Sequence, residues 1–297
     1  MNTAPAIWAV REEASALAHY VAEHLGGETF IALPSNRVVF AERFCLHSQW
    51  IFIGAVGIAV RYLNGLTRDK RADPAVVVLD EAGRFAIALL GGHEAGANEL
   101  AHRVANLTGA TPVITTATEA LKPLVLGIGC RKNVSVEQIG AAVEGALQLV
   151  SRQIGEVREV ATIDVKQDEP ALIEWCGAKQ IPLRIIACEE VAERAWITQP
   201  SAWVRENIGV EGVCEPCALI ASPRGRLLLP KTARDGVTVA LVEDAPFIRR
   251  CHPERSLAKQ NAVEGSHEPH SSSDALETPA GSFDSALTRS AQDDRRV

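Results

Sequence analysis

The sequence predicts an α/β fold: two tandem three-layer α/β/α units with largely parallel sheets, then a disordered C-terminal tail. Three observations carry this. Short apolar runs of strand length alternate with segments whose apolar residues recur at helical spacing. Glycine-rich turns join several strands to the segments that follow them. The 297 residues, 47% hydrophobic and 23% charged, suffice for about two cores of ordinary size. Beyond Phe247 the apolar periodicity stops, and the remainder, rich in Ser, Glu, Asp, Pro and His, buries too little to offset its ordering entropy. The expected partition is residues 1–118, a linker at 119–123, residues 124–246 and a tail at 247–297.

In the first unit, Ala6–Val10 reads as a strand. The helix after it turns Leu17, Tyr20, Val21, Ala22 and Leu25 inward and is stopped by Gly26-Gly27. Trp50–Ile53 is a buried strand, and Gly54-Ala55-Val56-Gly57 leads from it into a short helix. Ala75–Leu79 and Phe85–Leu90 are buried strands joined by the turn Asp80-Glu81-Ala82-Gly83. A Gly91–Gly96 loop precedes a helix over Asn98–Leu107, and Thr111–Thr115 is a further strand. The second unit opens with the strand Leu124–Ile128 and the loop Gly127–Lys132. Ser135 with Gln138 forms a capping box, and Ile139, Val143, Ala146, Leu147 and Val150 make the buried stripe of the next helix. Val160–Val165 and Leu183–Ala187 are strands. Helices start at Asp168-Glu169-Pro170 and at Cys214-Glu215-Pro216. Arg226–Leu229 and Val237–Val242 form a closing hairpin.

The net charge of −7 argues against a general nucleic-acid binder. Seven scattered cysteines (45, 130, 176, 188, 214, 217, 251) do not form a disulfide framework, so reduced thiols and a cytoplasmic setting are expected. The N-terminus lacks the basic and apolar regions of a signal peptide, and the apolar run at Trp50–Val60 is too short and glycine-broken to span a bilayer.

Three loops, Gly54–Gly57, Gly91–Gly96 and Gly127–Lys132, read as strand, glycine-rich turn, helix. Such turns either present backbone N–H groups to an anion or are plain tight connections. Gly127-Ile128-Gly129 has Lys132 where a dinucleotide fingerprint has its third glycine, and no phosphate-loop motif occurs. His93-Glu94 is the most reactive-looking pair. It either moves protons near neutral pH, or His93 bonds backbone while Glu94 complements the next helix. A zinc-type H-E-x-x-H would need histidine at Ala97. Cys214-Glu215-Pro216-Cys217 has no second pair to complete a zinc site and reads as a helix start. Cys130 is either a thiol with lowered pKa at a helix N-terminus or a buried inert one. No metal-ligand spacing is evident.

Three ordered stretches carry a resemblance. Asp73-Pro74-Ala75-Val76-Val77-Val78, Gly92-His93-Glu94-Ala95-Gly96-Ala97-Asn98-Glu99-Leu100-Ala101 and Pro112-Val113-Ile114-Thr115-Thr116-Ala117-Thr118 look like the N-terminal domain of the CbiG family. Gly127-Ile128-Gly129-Cys130-Arg131, Ile163-Asp164-Val165-Lys166, Val213-Cys214-Glu215-Pro216 and Pro230-Lys231 resemble its C-terminal domain, which also occurs alone as CobE. Two departures stand out. The family turn has Gly-Gly where this chain has Ala95-Gly96. The central segment most members carry is missing, leaving Glu119–Pro123 between the two parts.

The resemblance implies a hydrolase of cobalamin biosynthesis that opens the lactone of cobalt-precorrin-5A and releases acetaldehyde. The alternative is a non-catalytic binding or handover protein for a corrin-pathway intermediate. The substrate is a tetrapyrrole that brings its own cobalt, so no cofactor is expected. Neither nucleic acid nor membrane is an expected partner, and handover contacts with neighbouring corrin-pathway enzymes stay open. By motif position, His93 and Glu94 are the expected acid–base pair. The expected substrate contacts are Gly54, Gly57, Gly91, Gly92, Gly96, Asn98, Thr115, Thr116, Gly127, Gly129, Cys130, Arg131, Glu215 and Lys231. Arg131, Lys132 and Lys231 would clamp carboxylates, and N–H groups of Gly91–Gly96 would hold an oxyanion. The expected site is a cleft between the two units, where their glycine loops converge.

Overall fold

The computed structural model describes residues 4–194 and 198–244, all within one compact unit. The tail expected from residue 247 lies outside them.

Six strands form the first sheet: β1 (Ala6–Ala9), β2 (Thr29–Ile31), β3 (Gln49–Ile53), β4 (Ala75–Leu79), β5 (Phe85–Leu90) and β6 (Thr111–Val113). Their order is β2-β1-β3-β4-β5-β6. The first four run parallel; β5 is antiparallel to β4, and β6 is parallel to β5. Both faces of β1, β3 and β4 are covered, which is why these strands read as unbroken apolar runs. Helices α1 (Ser15–Leu25), α2 (Asn36–Arg43), α3 (Val56–Leu63) and α4 (Ala97–Thr108) supply the cover. Ile7, Ile51 and Val77 pack under Val21 of α1 and Leu100 and Val104 of α4. Trp8, Trp50 and Phe52 face the other way, onto Phe40 of α2 and Ala59 of α3. Gly26 takes the left-handed conformation that ends α1, with φ 73°. The turn after β4 closes on Asp80, whose carboxylate accepts from the Arg84 and Phe85 N–H groups.

A short helix α5 (Ala117–Ala120) leads into the second sheet of β7 (Leu124–Cys130), β8 (Val157–Ile163), β9 (Leu183–Ile186), β10 (Arg226–Arg234) and β11 (Val237–Glu243). The order is β10-β11-β7-β8-β9, with β7, β8 and β9 parallel and β11 reversed against β7. Five helices accompany it: α6 (Val136–Leu149), α7 (Pro170–Lys179), α8 (Cys188–Glu193), α9 (Ala202–Ile208) and α10 (Cys214–Ala221). Leu124, Leu126 and Ile128 pack on α6 and α7; Val125, Ala161 and Ile163 pack on α10 and α8. The expected Ser135–Gln138 capping box is present.

The fold differs from expectation in places. β2 and α2 were not anticipated, being short and without clear periodicity. β8 begins three residues early, because the polar pair Arg158-Glu159 interrupts its apolar pattern; Asp164 and Val165, expected to end the strand, belong to a 3₁₀ turn over Asp164–Lys166. In β5 only Ala86 is fully buried, so this strand is not the buried element expected. Gly127 and Gly129 are not in a loop at all but inside β7.

The side chain of Asn106 ties the two sheets. Asn106 of α4 donates through Nδ2 to the Leu183 carbonyl at 2.7 Å, and its Oδ1 accepts from the Ile185 N–H at 2.9 Å. It thus pairs the open edge of β9 as a further strand would. Asn106→Ala leaves both backbone groups unpaired and is expected to cost about 1–3 kcal/mol. Urea unfolding measures this; an unchanged midpoint would show that the bond contributes nothing.

Candidate functional site

Strand direction decides which loops meet. β5 runs against β4, with Leu90 opposite Val76, so its C-terminal end lies beside the start of β4. There Gly91 turns the chain at φ 72°, so tightly that a Cβ would stand 2.7 Å from the Ala95 methyl and 3.3 Å from the Ala75 Cα. β6, parallel to β5, delivers residues 114–118 to the same end. Gly54 instead leaves β3 beside Leu79, its N–H donating to the Leu79 carbonyl at 3.0 Å. That is the opposite end of a five-residue strand, about 17 Å away. Gly54 and Gly57 therefore do not join the Gly91–Gly96 loop, contrary to expectation.

At the shared end, the loop and the stretch after β6 interlock. Asn98 Nδ2 donates to Thr116 Oγ1 at 3.1 Å. Gly92 sits so close to Thr116 and Asn98 that a Cβ would come within 2.6 Å of the Thr116 methyl. His93 Nε2 lies 2.5 Å from Thr118 Oγ1 and 3.8 Å from Glu119 Oε1. Lys122 Nζ holds the same Glu119 oxygen at 2.9 Å. Glu94 does not partner His93. It bonds Lys70 Nζ at 3.0 Å, and that bond, helped by the lysine's charge, holds its carboxyl below the usual range. The loop N–H groups of Ala95, Ala97 and Asn98 turn back onto the Gly91 and Gly92 carbonyls, so they are not available to an oxyanion.

Gly92, His93, Gly96, Asn98 and Glu119 line one wall of a cleft of about 1290 Å³. The other wall comes from the second sheet: Arg158 and Glu159 at the start of β8, Arg184 at the start of β9, and Asp244 just after β11. These positions mark the N-terminal ends of its parallel strands. The cleft therefore joins the C-terminal ends of β5 and β6 to the N-terminal ends of β8 and β9. This is not the arrangement expected from strand C-terminal ends in both halves.

That geometry separates the second group of expected contacts from the cleft. Cys130 and Arg131 stand at the far end of β7, with the Arg131 N–H donating to the Gly236 carbonyl. Burial pushes the Cys130 thiol up rather than down, and α6 starts only at Val136. Gly127 and Gly129 serve packing. A Cβ on Gly127 would stand 1.7 Å from the Cys214 carbonyl oxygen, and one on Gly129 would stand 2.8 Å from Thr238 Oγ1. Glu215 is buried and consumed by the Lys231 N–H at 2.8 Å and by the Thr198 N–H and hydroxyl. Lys231 Nζ donates to the Gln199 carbonyl. Lys132, like Lys231, is not among the residues lining the cleft. Burial pushes the Cys214 thiol up to about 11 and Cys217 well above its ordinary value, which leaves the C-x-x-C pair as unreactive packing.

The cations that line the cleft are others: Arg103 of α4, Arg158, Arg184, Arg194 and Arg224. Arg184 is buried, and its guanidinium donates to the Ala221 carbonyl at 3.3 Å. His102 of α4 is also buried beside them. Burial lowers its pKa against the opposing pull of Glu159, with Arg184 adding to the fall, so it is neutral at neutral pH. Its Nδ1 has no hydrogen-bond partner among the described residues. Sequence reasoning missed Thr118 and Glu119 as site residues, the first at the end of a motif and the second assigned to a linker. It missed Arg158 and Arg184 too, although a charge inside an apolar strand run is a usable signal. Among the described residues no group of three or more His, Cys, Asp or Glu could hold a metal ion. No helix among them is long and apolar enough to cross a membrane.

Two halves of one family description match the chain: "Cobalamin synthesis G N-terminal" over residues 38–119 and "Cobalamin synthesis G C-terminus" over residues 124–242. Protein CobE of Sinorhizobium sp is 32% identical over 113 residues, covering 38% of this chain and 73% of that protein. The chain belongs to the CbiG family. A second relative, named cobalt-precorrin-5A hydrolase, is from Salmonella typhimurium. It is 26% identical over 315 aligned positions, covering 75% of this chain and 90% of that protein. Those positions outnumber the residues this chain contributes, so the alignment opens gaps here, as a missing central segment requires. The crystal structure of CobE, a protein from the cobalamin biosynthetic pathway, is 30% identical and covers 41% of this chain and 89% of its own, with a TM-score of 0.39. Two of the three N-terminal motifs of this CbiG chain, Gly92–Ala101 and Pro112–Thr118, are the segments that interlock beside the cleft. Its departure at Ala95 fits because the methyl rests over Gly91, where no side chain competes.

Proposed function

We propose that this chain is a cobalt-precorrin-5A hydrolase, opening the substrate's lactone and releasing acetaldehyde in the cleft between the sheets. The observation that carries it is the cleft itself. Its volume of about 1290 Å³ exceeds the roughly 300–1,000 Å³ of an ordinary small-molecule site and suits a macrocycle with several carboxylate arms. His93 stands at the rim with its Nε2 beside a hydroxyl, placed to accept the proton of an attacking oxygen. Arg158 and Arg184, on the opposite wall, supply positive charge for the acetate and propionate arms, with Arg158 also paired to Glu159 and Arg184 also donating to the Ala221 carbonyl. Once the lactone is open, the freed alkoxide carbon departs as acetaldehyde in a retro-aldol-like cleavage. On this reading the cobalt is part of the substrate, the setting is cytoplasmic, and the product passes to a neighbouring enzyme of the pathway.

A second reading, binding and handover without chemistry, is favoured by the missing central segment alone. One experiment separates the two: anaerobic incubation with cobalt-precorrin-5A, following the absorption spectrum and trapped acetaldehyde. The hydrolase reading expects aldehyde equal to substrate consumed. A spectral change without aldehyde assigns handover, and neither signal would overturn both.

A further inference from the structure

We propose that Thr118 is the catalytic nucleophile of this site, so that the lactone opens through an ester to its Oγ1; the inference rests on the hydrolase reading above.

Three threonines reach the cleft end of the first sheet, and their surroundings differ. Thr115 is exposed. Thr116 Oγ1 is engaged, accepting from Asn98 Nδ2. Thr118 Oγ1 has an imidazole nitrogen 2.5 Å away; the residue is exposed and, though not itself a lining residue, is bonded to His93 and adjacent to Glu119, which both line the cleft. A hydroxyl within hydrogen-bond reach of a histidine, with a third group acting on that histidine, is the arrangement of an activated nucleophile. Glu119 is the group at hand, and it acts by charge: its oxygen faces the same Nε2 as the hydroxyl rather than bonding the second ring nitrogen as a triad carboxylate does. Its side chain is largely buried, it stands 3.8 Å from the same Nε2, and Lys122 fixes its position. As the proton moves from Thr118 to His93, the imidazolium that forms gains a carboxylate counter-charge. A water acting as nucleophile would first have to displace the Thr118 hydroxyl from Nε2.

The steps balance. Thr118 Oγ1 bonds to the lactone carbonyl carbon, and its proton passes to His93 Nε2. The ring C–O bond breaks, leaving an acyl ester on Thr118 and an alkoxide on the macrocycle. The alkoxide collapses to acetaldehyde; the C–C electron pair remains on the macrocycle, which takes up the proton held by His93. Water then attacks the ester, giving one proton to His93, which returns it to Thr118 Oγ1 as the carboxylic acid leaves. The sum is one water consumed and one acetaldehyde released.

The test is single-turnover reaction of the full chain with cobalt-precorrin-5A, acid-quenched over time and followed by intact mass and peptide mapping. Thr118→Val and Thr118→Ser run in parallel. The expected adduct has the substrate mass less acetaldehyde, sits on the peptide holding Thr118, and is absent from Thr118→Val. Thr118→Val is expected to slow acetaldehyde release about 10³-fold or more while still binding the tetrapyrrole spectrally; Thr118→Ser stays within about tenfold of the parent. Release by Thr118→Val at the parental rate overturns the inference and leaves the hydrolase reading standing. So does a quench series in which the parent turns over and no adduct forms. A parent that releases no acetaldehyde defeats the hydrolase reading first, and this one with it.

Discussion

His93→Ala is expected to lower the turnover number for acetaldehyde release by about 10²–10⁴-fold, the usual worth of a positioned general base. Spectral binding of the tetrapyrrole should change little, because the arginines proposed to meet its carboxylates, Arg158 and Arg184, line the opposite wall. Added imidazole should restore part of the rate by entering the space left beside Thr118. The informative control is the neighbour. Glu94 was as attractive as His93 in the sequence, yet it is bonded to Lys70 and does not line the cleft. Glu94→Ala should therefore stay within about twofold of the parent, a change in barrier well below 1 kcal/mol. If the two substitutions had equal effects, proton transfer could not be assigned to His93 with Thr118 and Glu119.

Gly127→Ala should be the most destabilising single-methyl change in the second sheet, by about 3 kcal/mol or more. The added carbon would stand 1.7 Å from the Cys214 carbonyl oxygen and 2.6 Å from the carbonyl carbon. Neither is the tip of a flexible side chain. Relief requires α10 to lift off β7, and with it Cys217 and Ala218, which pack under the strand. Gly177, in α7, provides the contrast: nothing lies within 4 Å of the Cβ it lacks. Gly177→Ala should be neutral or stabilising by up to about 1 kcal/mol from helix propensity. Urea unfolding of the two variants checks both signs at once; equal midpoints would refute the packing role assigned to Gly127.

These two residues also show what was legible in the sequence. Gly127 and His93 both belong to recognisable motifs, and the motifs correctly gave the family and the alternation of strands and helices. What a motif does not carry is direction. Reading Gly54–Gly57, Gly91–Gly96 and Gly127–Lys132 as three copies of one device assumed that each followed a strand pointing the same way. The reversal of β5 puts the second loop at the opposite end of the sheet from the first, and the third includes a strand interior. Pairing partners are long-range facts; only the hairpin turn at Asp80–Gly83 hinted at this one locally. His93 and Glu94 turn to different partners for a related reason. His93 and Glu94 are adjacent in the chain, but the carboxylate near the imidazole comes from Glu119, 26 positions on. The arginine wall was hidden because Arg158 and Arg184 interrupt strands, where a charge reads first as a disturbance of the pattern.

The amide of Asn106 has a meaning beyond joining the sheets. β9 is an outer strand, and an unoccupied outer strand is a template on which a second chain can add. By filling the Leu183 carbonyl and the Ile185 N–H, the first half of the molecule acts as a guard against self-association of the second half. A protein consisting of the second half alone must protect that strand by other means, such as a charged or shortened edge. A chain like this one, with the two halves fused, is released from that requirement.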